Sequence, residues 1–172
     1  NSADLDLWHR LAVGKVFFNT GSLLSHDIFA YIPTKELWID HEWGSGVIFY
    51  YVTKFLGDYG LITLKITIFS LIVLFIYLTV NLINKERDNY KPVYFILSVI
   101  AVSPGMLSTL RSQAFTYLFF ALWLYLLEKI RHKEKVSLWI FPLTFVLWVN
   151  LHGGFLSGLG LIMLYALGEL LN

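Results

Sequence analysis

Long uncharged runs alternate along this chain with short charged connectors, and the alternation predicts its elements. Residues 66–84 (ITIFSLIVLFIYLTVNLIN), 92–110 (PVYFILSVIAVSPGMLSTL), 112–127 (SQAFTYLFFALWLYLL) and 136–168 contain no Asp, Glu, Lys or Arg. A helix rises about 1.5 Å per residue, so ~20 residues cross a hydrocarbon core of ~30 Å. The first two runs have that length. The third is shorter and reaches it only if Glu128 and Lys129 snorkel to the interface. The fourth is too long for one span, and NLHGG (Asn150 to Gly154) interrupts it with an Asn, a His and paired glycines that mark a turn. Two short helices are expected there, over residues 137–151 and 154–172. Ser157, Gly158 and Gly160 would let the second approach a neighbour closely.

The first 60 residues are patterned differently. A helix is predicted from Asp6 to Asn19, stopped by Gly21. Trp8, Leu11, Ala12 and Phe18 fall roughly on one side of it, as in a helix lying on a membrane surface. A second helix is predicted to begin near Asp40 or Glu42 and to run to Gly57. The fold class expected is all-α: a polytopic helical membrane protein with an external loop that carries amphipathic helices. Residues 1–43 form that loop, and residues 44–172 form a partial transmembrane bundle of about five spans plus a juxtamembrane helix.

Composition agrees with a membrane class. The 172 residues are 57% hydrophobic and 15% charged, with a mean hydropathy of +0.65, more apolar surface than one soluble core of this size hides. The net charge of +1 gives no electrostatic basis for binding nucleic acid. The absence of cysteine removes disulfides, thiolate metal sites and thiol nucleophiles. A start at Asn1 rather than Met, and an ending (GELLN) within an apolar stretch, read as a segment of a longer polypeptide.

Charge also sets the expected orientation. The connector KERDNYK (85–91) holds three Lys/Arg and EKIRHKEK (128–135) holds four, which places both in the cytoplasm. By alternation, residues 1–42, the turn at Arg111 and the NLHGG turn then share the outer face of a prokaryotic plasma membrane. The loop is acidic and aromatic, with six Asp/Glu against Arg10, Lys15 and Lys35.

Three clusters in these outer regions could carry chemistry. In DLDLWHR, Asp4 and Asp6 precede His9 and Arg10, and Asp6 shares a helix face with both. Asp6 could serve as a general base or bind a divalent cation, or simply cap the helix and pair with Arg10. In WIDHEW, Asp40 and Glu42 could bind a cation or polarise a hydroxyl, with Trp38 and Trp43 anchored in the headgroup layer; equally, Asp40 could cap the next helix. In SHDIFAY, Asp27 has the same choice between a site and an Asx turn. Arg111 stands between two uncharged runs, a costly position suited to a phosphate partner or to an external turn. His152 could hydrogen-bond a phosphate, move a proton or only complete its turn. His9, His26, His41 and His152 fall on the outer side, but no HExxH-like spacing supports zinc.

The segments DLDLWHRLAVGKVFFNTGSLLSHDIFAY, LWIDHEW, RSQAFTYLFFALWLYLLE and LWVNLHGGFLSGLG together resemble polytopic GT-C glycosyltransferases, the first pair resembling their first external loop. The resemblance spans essentially the whole chain. Relatives often carry Pro where Ser112 and Ile28 stand, and a second aromatic where His9 stands. The resemblance implies an enzyme that moves a sugar from a polyprenyl-phosphate or polyprenyl-diphosphate donor to an acceptor on the outer face. It implies Asp6, with Asp4 as alternative, as catalytic base or metal ligand. Asp40, Glu42 and Asp27 would then form an acceptor or cation site, with Mg or Mn as the candidate cation. Arg111, His152, Lys15 and Gln113 would face the donor phosphate. Expected partners are the lipid-linked sugar, membrane lipids and other membrane subunits. Two other classes fit the same features: a transporter or flippase for a lipid-linked or anionic solute, and a non-catalytic membrane subunit with an acidic docking loop.

Overall fold

A computed structural model describes residues 4–32, 36–83 and 90–171. Lys35 and most of the KERDNYK connector lie outside the described residues. Among the described residues every regular element is a helix: α1 (Leu5–Thr20), α2 (Trp43–Ile83), α3 (Lys91–Leu107), α4 (Gln113–Arg131), α5 (Ile140–Leu151) and α6 (Phe155–Leu170).

The ends of α1 have local causes. Asp4 accepts a hydrogen bond from the Asp6 N–H at 3.2 Å and so caps the helix, the role the sequence offered to Asp6. Gly21 takes a left-handed conformation (φ 68°) and returns its N–H to the Phe17 carbonyl, ending the helix as expected. The buried face differs from the surface-lying reading. Leu7, Arg10, Val13 and Gly14 turn inward, while Trp8 is 60% exposed. The inward face packs on the start of α2 at a glycine contact. A Cβ at Gly14 would lie 2.1 Å from the Gly46 carbonyl oxygen, and one at Gly46 would lie 2.6 Å from the Arg10 carbonyl oxygen. Two side-chain-free positions thus let the backbones meet, and α1 belongs to the same packed body as the bundle.

The predicted helix ending at Gly57 and the predicted span after it are one element, bent at Gly57 (φ 61°, ψ −158°). Only glycine adopts that conformation readily, so the bend is written in the sequence at one residue. α2 is the one helix among the described residues long and apolar enough to cross a membrane; α3, α5 and α6 are apolar but shorter. α5, with 12 residues, reaches only about 18 Å.

The core is aromatic. Trp123 of α4 and Trp148 of α5 are almost fully buried, edge to face at 5.4 Å, with Phe119 stacked on Trp148 at 5.7 Å. Both indole N–H groups are satisfied: Trp123 donates to Thr144 Oγ1 and Trp148 to Thr116 Oγ1. Gly158 of α6 lies against both rings, where a Cβ would come within 2.5 Å of Trp148. Gly158 therefore serves the close packing expected of it, whereas Gly160 faces open space. An apolar cavity of about 630 Å³ lies between α2, α3 and α4, lined by Ile72, Ile76, Val102, Phe120 and Leu124 and reaching Thr116.

The far end of α4 corrects a further expectation. Glu128 does not snorkel: it is 4% exposed and accepts a hydrogen bond from the Tyr165 hydroxyl of α6. Arg131 and His132 approach the same carboxylate at 3.5 and 3.7 Å. Lys129 instead reaches Glu134 at 3.4 Å.

Candidate functional site

The opposite end of the bundle gathers ionisable groups from four places in the chain. α1 supplies Asp6 and Arg10, with Asp4 at its cap. The segment before α2 supplies Asp40, His41 and Glu42; the turn before α4 supplies Arg111; the turn between α5 and α6 supplies His152.

Arg10 is the hub. It is 8% exposed, and its Nη1 donates to both oxygens of Asp40 at 2.6 and 2.7 Å. Asp40 also accepts from the Glu42 N–H at 2.9 Å. Asp40 is thus a buried counter-ion and a loop brace, and it borders a cleft of about 90 Å³ that it shares with Val13, Phe17 and Trp43. Arg10 Nε lies 3.6 Å from Asp6 Oδ1 on one side and 3.6 Å from Glu42 Oε2 on the other, too far for a hydrogen bond to either. That Nε–H is buried and has no hydrogen-bond partner among the described residues. Among the described residues the Asp6 and Glu42 side chains accept no hydrogen bond, so two carboxylates and a guanidinium N–H keep unspent capacity in one spot.

His152 is held in one tautomer. Trp148 Nε1–H donates to Thr116 Oγ1 at 2.9 Å, and Thr116 Oγ1 lies 2.7 Å from His152 Nδ1. The Gly154 N–H donates to the same Nδ1 at 2.9 Å. A nitrogen that accepts from a backbone N–H carries no proton, so Thr116 is the donor to it and the ring proton sits on Nε2. Nε2–H points toward Glu42 Oε1, 3.6 Å away, where His41 Nε2 also stands at 3.6 Å. Burial holds the His152 imidazole below its ordinary pKa, against the opposing attraction of Glu42.

Arg111 forms an ion pair with Asp4, on the oxygen that does not cap α1. The Asp6 backbone N–H first, and the Arg111 guanidinium after it, hold the Asp4 carboxyl below its ordinary pKa.

Other predicted residues lie outside the cluster. Asp27 accepts from the N–H groups of Phe29 and Ala30 at 2.9 and 3.1 Å, the Asx turn that was its alternative. Lys15 is exposed further along α1 and makes no ion pair with the cluster. Gln113, exposed at the start of α4, lines a small cleft with Arg111 and Lys65. Trp43, half-buried, donates its Nε1–H to Asn150 Oδ1 at 2.8 Å and pins the NLHGG turn to α2. His9 packs edge-on against Phe29 at 5.5 Å and Trp38 at 6.2 Å, so it takes the aromatic place from which it departs in the resemblance. Ser112 is buried and shares a hydrogen bond with Ser45 at 2.9 Å, tying α4 to α2.

The residues present do not fit the divalent cation considered from sequence. The Arg10 guanidinium occupies the centre of the Asp6–Asp40–Glu42 group, and His152 turns a protonated nitrogen toward Glu42. Among the described residues no group of three His, Asp or Glu converges as metal ligands.

Sequence reasoning missed Arg10 as the hub and Thr116, Trp148 and Lys65 as participants. The i, i+4 spacing of Asp6 and Arg10 was the only local signal for the first. No family model, curated protein or solved structure matches the chain.

Proposed function

We propose that the chain is the site-bearing part of a multi-pass membrane glycosyltransferase. It would transfer a sugar from a polyprenyl-(di)phosphate donor to an acceptor on the outer face of a prokaryotic plasma membrane. The observation that carries this reading is the pair Asp6 and Glu42 flanking the unpartnered Nε–H of buried Arg10. An arrangement that spends no hydrogen bonds internally is preorganised to spend them on a ligand.

Asp6 is the carboxylate suited to the base. It is the most exposed of the trio at 38%, whereas Glu42 is 13% and Asp40 5% exposed. In an inverting transfer Asp6 takes the proton from an acceptor hydroxyl, and the acceptor oxygen attacks the anomeric carbon. The carbon–oxygen bond to the lipid phosphate breaks, and the phosphate leaves with the electron pair. Arg10 Nε stands 3.6 Å from Asp6 Oδ1, and Arg111 offers charge to the leaving phosphate.

The membrane setting is supported by α2 and by the apolar exterior: Ile62, Ile66, Ile96, Leu97, Leu143 and Leu164 are all more than half exposed.

The test is transfer from a radiolabelled polyprenyl-phosphate sugar in membranes carrying the protein. Asp6→Asn is expected to lower turnover by at least 100-fold (a base contributes roughly 10²–10⁴) while the protein still inserts. Undiminished transfer removes Asp6 from the mechanism. Transport of the intact donor without transfer would favour a flippase instead.

A further inference from the structure

A groove of about 440 Å³ runs between α1 and the segment of α2 that follows the Gly57 bend. Leu7, Trp8 and Leu11 form one wall, and Leu61, Ile62 and Lys65 the other. A small cleft lined by Lys65, Ser108, Thr109, Arg111 and Gln113 adjoins it, and the two share Lys65, Thr109 and Leu110. Two cations from separate elements therefore border the same polar corner of a largely apolar groove. Asp58, the groove's own carboxylate, stands seven residues before Lys65, about 10 Å along the helix, so an anion is favoured only at the Lys65 end.

Both cations are partly engaged. Lys65 Nζ donates to the Ser108 carbonyl at the end of α3, which leaves two of its three N–H groups free. Arg111 holds Asp4, but that carboxylate uses its other oxygen for the α1 cap, so it can release Arg111 and keep the cap. The Arg111 side chain is 49% exposed, and an ion pair this open is cheap to exchange. Phosphate is the better partner for the guanidinium fork, with more charge and more acceptor oxygens than a carboxylate.

We propose that Lys65 and Arg111 together form the phosphate subsite, and that Asp4 is an internal competitor which occupies Arg111 until a phosphate ester displaces it. The ester's organic group lies in the groove against Trp8 and Leu61. This deepens the glycosyltransferase reading and rests on it for the natural ligand. It also replaces Lys15, the helper expected from sequence, with Lys65. Asp4 becomes a gatekeeper rather than an alternative base: the arriving phosphate frees its carboxylate beside Asp6 only after the donor is seated.

The test is equilibrium binding of dodecyl phosphate to the purified protein in dodecyl maltoside micelles. That detergent already supplies a neutral sugar head and an alkyl chain, so any saturable signal reports the phosphate. Lys65→Met and Arg111→Met are each expected to weaken binding at least 5-fold, and Asp4→Asn to tighten it about 3-fold. Lys65→Arg should retain affinity, which separates charge from fold, and Lys133→Met should bind as the parent does. Inorganic phosphate should compete weakly if the groove contributes, and as strongly as the ester if a free anion is the ligand, which would overturn the groove. Unchanged affinity in Lys65→Met, or no gain in Asp4→Asn, overturns the proposal. Such a result alongside an Asp6-dependent transfer would leave the enzyme reading standing. Lys65-dependent binding without transfer would do the reverse.

Discussion

At the scale of single residues, Arg10 and His152 show how burial sets roles that residue type leaves open. Arg10 and Asp40 are an ion pair with side chains 10% and 5% exposed. Removing one partner strands the other charge in a poorly solvated place, which costs roughly 3 kcal/mol, far more than an exposed pair is worth. Arg10→Met should therefore lower the thermal midpoint in detergent by several degrees, and Arg10→Met with Asp40→Leu should recover much of the loss; a double variant worse than the single would show that the pair is not the unit. His152 gives a pH prediction. Its pKa is depressed by burial below the ordinary 6.5, so the unfolded chain binds the proton first. Stability from neutral His152 is complete above about pH 6.5 and falls as the pH drops below it. Midpoints measured from pH 7.5 to 5.5 should decline more steeply in the parent than in His152→Gln, which has nothing to titrate there; parallel profiles would assign the decline to other groups. From sequence His152 was legible as a turn residue with polar possibilities. Its tautomer was not, because that depends on Thr116, 36 residues away, and on a backbone N–H.

At the scale of elements, uncharged runs and glycines carried most of what could be read. The run boundaries locate α3, α4, α5 and α6 to within a few residues, because a charge inside an apolar helix is penalised wherever the helix sits. Gly21 and Gly57 mark a stop and a bend because few other residues take their conformations. What the pattern could not supply was the partner of each face. The apolar residues of α1 suggested one side for burial, yet the helix turns Leu7, Arg10, Val13 and Gly14 inward. Gly14 decides this, since only its face can approach Gly46 so closely. Gly14→Val should force α1 off α2 and separate Arg10 from Asp40, at a cost of about 1–3 kcal/mol or more. Its signature would be loss of both stability and transfer, whereas Gly160→Val, facing open space, should cost little. Equal effects at the two glycines would mean that helix propensity rather than close packing governs. Glu128 makes the same point from the other end. Its place at a run boundary suggested snorkelling, but Tyr165 on α6 gives it a buried partner that no local pattern contains.

At the scale of the whole molecule, the two ends of the bundle carry different chemistry. One end joins Asp4, Asp6, Asp40 and Glu42 to Arg10, Arg111 and His152. The other carries Arg131 and His132 beside Glu128, with Lys129 on Glu134 and Lys133 just beyond α4. The proposed function requires the cationic end in the cytoplasm, as the positive-inside rule would have it, and the acidic end at the outer leaflet. The proposed function depends on this orientation, since a donor displayed on the outer leaflet cannot reach a cytoplasmic Asp6. The chain offers a clean measurement because it has no cysteine of its own. His26→Cys, in the exposed loop after α1, should react with a membrane-impermeant maleimide in intact cells. Lys133→Cys, exposed just beyond α4, should react only after the membrane is opened. Labelling of both in intact cells, or of Lys133→Cys alone, would place the Asp6 cluster on the wrong side or at no defined side. The carboxylates around Arg10 would then need a cytoplasmic ligand, and the transfer reaction would have to be given up however well the groove binds phosphate.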